Sequence, residues 1–138
     1  MAIHFFTEDI SFSLDQEDST INWINKVLEK EGYKAENINY VFCSDAHLLE
    51  LNQQYLNHDT LTDIITFDNS EEKENLEADI FISIDRVKEN ASVLKKEFSN
   101  ELHRVIIHGL LHLLGLKDKT EAEKQEMREK EDACLSLR

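Results

Sequence analysis

No proline occurs in this chain, and glycine occurs only at Gly32, Gly109 and Gly115. Tight turns built on those residues are therefore few, and each glycine marks a place where the backbone itself matters. Basic residues are also scarce: 15 lysines and arginines stand against 29 aspartates and glutamates, a formal net charge of −14. That excludes a broad basic groove, because non-specific nucleic-acid binding relies on Lys and Arg neutralising phosphates. The deficit is uneven. Residues 1–84 carry 18 acidic and 4 basic side chains, whereas residues 85–138 carry 11 of each, so only the C-terminal part has room for a local phosphate-binding face. The two cysteines, Cys43 and Cys134, do not make the disulfide framework of a small secreted protein and are expected as reduced thiols. Met1 is not followed by a basic segment and an apolar signal core, and no apolar run approaches the roughly 18 residues of a membrane span. The expected location is the cytoplasm.

What is present fits one domain over residues 1–138, since 138 residues with 41% hydrophobic content can bury a continuous core. Strands and helices alternate. Ile3–Phe6 is a β-prone run. Ile21, Ile24, Val27 and Leu28 recur at helical spacing between about Ser19 and Glu31, with Gly32 placed to end that helix. Asn39–Ser44 predicts a second strand, and Ser44 or Asp45 a cap for a helix carrying Leu48, Leu51 and Tyr55. Ile64–Phe67 and Ile80–Ile84 predict two more strands, with polar Asn69–Glu77 read as an exposed loop. Asp85 is placed to cap a helix presenting Val87, Ala91 and Leu94. The next helix, near Phe98–Leu114, is polar at Asn100, Glu101 and Arg104 and apolar nearly all round from Val105 onward, the pattern of a buried helix. Thr120 and Glu123 match a capping box that opens a last helix ending near Leu135.

The buried helix carries the chemistry. His108 and His112 are four residues apart, so they share one face with Cβ atoms roughly 5–6 Å apart, and two neutral imidazoles there can converge on one ion. Gly115 lets the chain leave the helix through a conformation other residues resist, which brings Asp118 toward the same point. Thr120 fits the cap better than Asp118, leaving the carboxylate free to ligate. The spacing His-x-x-x-His-x-x-Gly-x-x-Asp is that of an elongated zincin-type site, with His108, His112 and Asp118 as metal ligands and, through activated water, as the catalytic set. Three protein ligands leave a position for water, whose pKa zinc lowers to about 7. Gly109 costs the helix about 1 kcal/mol relative to alanine, which points to close packing, to close approach of a ligand, or to simple tolerance. It stands where zincin peptidases place their glutamate base, so a metallopeptidase is disfavoured and no separate base is assigned.

Four segments together resemble the YbeY-type metal-dependent endoribonucleases, or ribosomal RNA maturation factors. They are Leu51-Asn52-Gln53-Gln54-Tyr55, Thr62-Asp63-Ile64-Ile65-Thr66-Phe67, Ala78-Asp79-Ile80-Phe81-Ile82-Ser83 and His108-Gly109-Leu110-Leu111-His112-Leu113-Leu114-Gly115. The resemblance runs the length of the chain in order. It implies an α+β fold, with a four-stranded, mainly parallel mixed sheet flanked by helices and a zincin-like metal-binding helix. It further implies one Zn2+ ion, single-stranded ribosomal RNA as substrate, the ribosome or its 30S subunit as partner, and roles in 16S rRNA 3′-end maturation and ribosome quality control. Neither DNA nor a membrane is expected as a partner.

This chain departs from the family pattern at two positions. Asp118 stands where the family usually has a third histidine; a carboxylate is an acceptable zinc ligand, but it lowers the site's charge by one and favours harder metals more. Leu56 stands where the family usually has an arginine that serves the phosphate, and leucine cannot stabilise developing negative charge. His58, Lys117 and Lys119 are the nearby candidates for that role. Asp63 and Thr66 are placed either to line the cleft or to make strand-end hydrogen bonds. Two further readings remain: a ribosome-associated assembly factor with a structural metal and little or no catalysis, and, opposed by the ligand spacing, the two-His-one-carboxylate triad of non-haem iron oxygenases.

Overall fold

The computed structural model describes residues 2–56 and 62–138. Nine elements follow one another: β1 (Ile3–Thr7), α1 (Glu17–Glu31), β2 (Lys34–Cys43), α2 (Asp45–Leu56), β3 (Ile64–Asp68), β4 (Asn75–Ser83), α3 (Ile84–Leu94), α4 (Phe98–Leu113) and α5 (Glu121–Leu135). The strands form one sheet in the order β1-β2-β4-β3. β1, β2 and β4 run parallel, and β3 pairs antiparallel with β4 at the edge. The architecture is therefore the expected α+β fold with a mainly parallel mixed sheet. Parallel neighbours need long crossovers, and α1 supplies the one between β1 and β2.

Alternation along the strands sorts the two faces of the sheet. Ile38, Tyr40 and Phe42 of β2 and Leu76, Ala78, Ile80 and Ile82 of β4 are buried; nearly all of them join a core with Ile24 and Leu28 of α1, Val87 of α3 and Ile106 and Leu110 of α4. On the opposite face, Leu48 of α2 covers Cys43 and Ile65, with Phe67 and Phe81 against them. Both cysteines are free and buried, and burial pushes the Cys43 thiol up to about 12. Two hydrogen bonds pin the elements that bear on the site. The buried Tyr40 hydroxyl donates to the Ile106 carbonyl of α4 (3.2 Å), and Trp23 Nε1 of α1 donates to the Cys134 carbonyl of α5 (2.8 Å).

Several local expectations hold. Gly32 ends α1 in the left-handed region at φ 81°, and the Thr120–Glu123 capping box is complete. Others need correction. Ser83 rather than Asp85 caps α3, accepting from the Arg86 N–H, while Asp85 turns instead to accept from the backbone N–H of Asp45. Asn75–Glu77, expected in a loop, belong to β4 because they pair with β2 from Lys34 onward. Glu101, expected on a polar face of α4, is buried, as is His103. Among the described residues no helix is long and apolar enough to cross a membrane.

Candidate metal centre

α4 ends in a turn whose hydrogen bonds are those of a Schellman motif: Leu116 N–H bonds to the Leu111 carbonyl (3.1 Å) and Gly115 N–H to that of His112 (3.0 Å). Gly115 sits at φ 102°, a backbone region where a side chain is strained. The turn does more than stop the helix. It points the Leu116 carbonyl back at His112 Nδ1, 3.0 Å away, and carries the chain on to Asp118.

His108, His112 and Asp118 are brought together as the sequence predicts. His108 Nε2 and His112 Nε2 lie 3.0 Å apart, and Asp118 Oδ2 is 3.3 Å from the first and 3.4 Å from the second. Ligands held tetrahedrally at zinc distances would be roughly 3.3–3.5 Å from one another, so the spacing suits such an ion with little adjustment. The protonation pattern suits it too. Nδ1–H of His112 donates to Leu116, and Nδ1–H of His108 donates to Glu131 Oε2 at 2.6 Å, which leaves both Nε2 lone pairs and the Asp118 oxygen facing one point. With both rings neutral and protonated at Nδ1, three acceptors converge on one point, an arrangement that a cation stabilises, so these residues could hold a metal ion. The side chains are 23%, 31% and 40% exposed, and one side of the group is open to solvent.

Glu131 is the residue that sequence reasoning missed. It is buried on α5, with Oε2 on His108 and Oε1 accepting from Arg104 Nη1 (2.8 Å); Arg104 also reaches Asp132 at 2.5 Å. Burial alone would raise the Glu131 carboxyl, but the hydrogen bonds from His108 and Arg104 outweigh it and hold it below the usual glutamate range. The same balance runs the other way at His108: burial lowers it, but Glu131, together with the charges of Asp118 and Asp63, leaves it raised. A signal for Glu131 was legible. It stands in register with Met127 and Cys134 on the buried stripe of α5, where an unpaired carboxylate would be costly.

The remaining candidates are dispersed. Burial pushes the Asp63 carboxyl up, with His108 close enough to oppose the shift by its charge. Thr66 faces α4 at Gly109, and the reason for that glycine is packing. A Cβ there would meet Ile64 Cδ1 at 2.7 Å, Ile80 Cγ2 at 3.2 Å and Thr66 Oγ1 at 3.5 Å. The position that bears the base in zincin peptidases thus points into the sheet. Lys117 and Lys119 are exposed on the loop after α4, and the Lys119 backbone N–H donates to Glu123 Oε1. His58 and the side chain of Leu56 lie outside the described residues.

Similarity to known proteins agrees with this geometry. The family model described as Endoribonuclease YbeY matches residues 2–137. A protein of that name from Cytophaga hutchinsonii is 56% identical over 136 residues, covering 99% of this chain and 95% of the relative; one from Flavobacterium psychrophilum is 52% identical, covering 96% and 94%. A solution structure of a protein from Thermotoga maritima superimposes with a TM-score of 0.70 at 28% identity, covering 98% of this chain and 87% of that one. With nearly its whole length matched by the family model and by relatives of this identity, the chain belongs to the YbeY endoribonuclease family.

Proposed function

We propose that this chain is a single-domain, metal-dependent endoribonuclease that cuts single-stranded RNA. Its work is 16S rRNA 3′-end maturation and ribosome quality control, in the cytoplasm and in contact with the ribosome or its 30S subunit. The observation that carries this reading is the convergence of His108 Nε2, His112 Nε2 and Asp118 Oδ2 within 3.4 Å of one another. Its context supports it, since the relatives are named endoribonucleases. The imidazole and carboxylate donors suit zinc, and Asp118 widens the choice toward harder divalent ions. When bound, such an ion supplies Lewis acidity toward a phosphoryl oxygen and makes water more acidic.

The chain's own residues do the positioning. Glu131 and the Leu116 carbonyl hold the two rings with their Nε2 atoms forward, as partners of metal-bound histidines commonly do. Asp63, whose burial favours the protonated carboxyl, lies close enough to His108 for the two charges to interact. Lys117, Lys119 and His58 are the candidates to meet the phosphate in place of the family arginine.

The test is metal analysis of protein purified without added metal, followed by cleavage of single-stranded RNA by wild type and His108→Ala. The expected result is about one ion per chain and RNA cleavage, both lost in the variant. Tight metal with no cleavage by either protein would overturn the nuclease and leave an assembly factor with a structural ion. Metal affinity unchanged in Asp118→Ala would remove Asp118 from the ligand set.

A further inference from the structure

In a chain of net charge −14, one cleft gathers cations. It lies beside α4 and the C-terminal half of α5, encloses about 380 Å3, and is lined by Lys96, Arg104, Arg128 and Arg138 around a single carboxylate, Glu101. That volume falls at the lower end of the roughly 300–1,000 Å3 of small-ligand sites. Two of the cations are already engaged: Arg104 by Glu131 and Asp132, and Arg138 by the Trp23 ring, 5.8 Å from its centroid. Lys96 and Arg128 make no ion pair with another described residue. Glu101 is only 8% exposed, and its carboxylate likewise makes no hydrogen bond or ion pair with a described side chain. Neither Glu101 oxygen is among the buried atoms left without a partner, so the carboxylate opens on the cleft, where it can accept from a ligand that donates a hydrogen bond. Burial and the charges of Asp63 and Glu131 push the Glu101 carboxyl up, while Arg104 and Arg128 oppose them, so both cations lie within electrostatic reach of it.

We infer that this cleft is a subsite for one ribonucleotide of the RNA strand, with Lys96 and Arg128 taking its phosphate and Glu101 accepting from its ribose 2′-hydroxyl. A ribose carries hydroxyl and phosphate on one sugar, so a cleft of this size can meet both. Glu101 precedes His108 by seven residues on α4, about 10 Å along the helix axis. The nucleotide held here is therefore a neighbour of the scissile one rather than the scissile one itself. Arg104 and Glu131 join the two regions, since Glu131 bonds Arg104 with one oxygen and His108 with the other. The subsite also accounts for the charge distribution, because it places a local phosphate-binding face in the half of the chain that is not strongly acidic.

The inference rests on the endoribonuclease reading, and the experiment separates the two. Steady-state cleavage of a single-stranded RNA is measured with the metal-loaded enzyme, for wild type and for the double variant Lys96→Ala/Arg128→Ala, over a range of salt concentrations. The expected result is a KM raised about tenfold, a salt dependence of kcat/KM shallower by about 1 to 2 in log–log slope, kcat within twofold and metal content unchanged. In a second arm, RNA and DNA of the same sequence compete for cleavage by wild type and by Glu101→Leu. RNA should compete better than DNA against wild type, and that preference should shrink in the variant. If wild type cleaves RNA while the double variant keeps its KM and salt slope, or Glu101→Leu keeps the RNA preference, the subsite is wrong and the nuclease stands. No cleavage by wild type would overturn both.

Discussion

Replacing Glu131 by glutamine tests the organisation of the candidate metal centre most directly. The amide keeps an acceptor for His108 Nδ1–H but removes the charge that now meets it at 2.6 Å. Loss of such an outer partner typically weakens metal binding 10- to 100-fold, or about 1.4–2.7 kcal/mol. With the acceptor retained, the expected loss is about tenfold at pH 8, and Glu131→Ala should approach 100-fold. The fold should survive. Arg104 loses its buried partner but keeps Asp132, so the stability change should be about 1–2 kcal/mol rather than the 3–5 of a stranded buried charge. The pH dependence has a definite sign. Glu131 holds the His108 pKa above its ordinary value, so protons compete with metal in wild type from a higher pH. In Glu131→Gln the ring gives up its proton more readily, and the wild-type advantage should be smaller at pH 6 than at pH 8. Zinc competition with a chromophoric chelator at both pH values, with thermal unfolding as a control for folding, measures this. An affinity within twofold of wild type at pH 8, or an advantage that does not shrink at pH 6, would refute the reasoning.

Three further outcomes follow from the same geometry. Gly109→Val places a branched side chain where even a Cβ meets Ile64 at 2.7 Å and Ile80 at 3.2 Å, so thermal unfolding should show about 1–3 kcal/mol of destabilisation from overpacking, with weaker metal binding as α4 is pushed from the sheet. Gly115→Ala has nothing within 4 Å of the new Cβ; its penalty of about 1–3 kcal/mol comes from the φ of 102° alone, and chelator competition should again register displacement of Asp118. Burial lowers the His103 pKa, so its contribution to stability is fully present above the unfolded value of about 6.5 and is lost as pH falls toward the folded one; melting curves of His103→Gln should therefore show a flatter loss of stability between pH 7 and 5 than wild type.

Much of the fold was legible because its signals are local. Helical spacing in α1, the glycine at its end, the Thr120–Glu123 box and the alternation in β4 each depend on residues within a few positions of one another. The start of β4 was not legible, because polar Asn75 and Glu77 are strand residues only through pairing with β2. The cap of α3 was not legible because Ser83 and Asp85 are both competent caps, and the choice depends on Asp45 arriving from another helix. Glu101 and Glu131 are the instructive pair. Each stands on the apolar stripe of its helix, where a carboxylate needs a reason, and the reasons differ.

By itself the sequence determined the trio that could hold a metal ion, because His108, His112 and Asp118 lie within 11 positions joined by a helix and a glycine turn, and local geometry alone brings them together. It also determined the family, through motifs in chain order. Only the tertiary structure decided what stands behind those three side chains. Glu131 reaches His108 from a different helix, Gly109 is needed where α4 crosses β3 and β4, and the cations around Glu101 come from separate elements. Contacts between elements are set by packing across the core, and no local spacing encodes them.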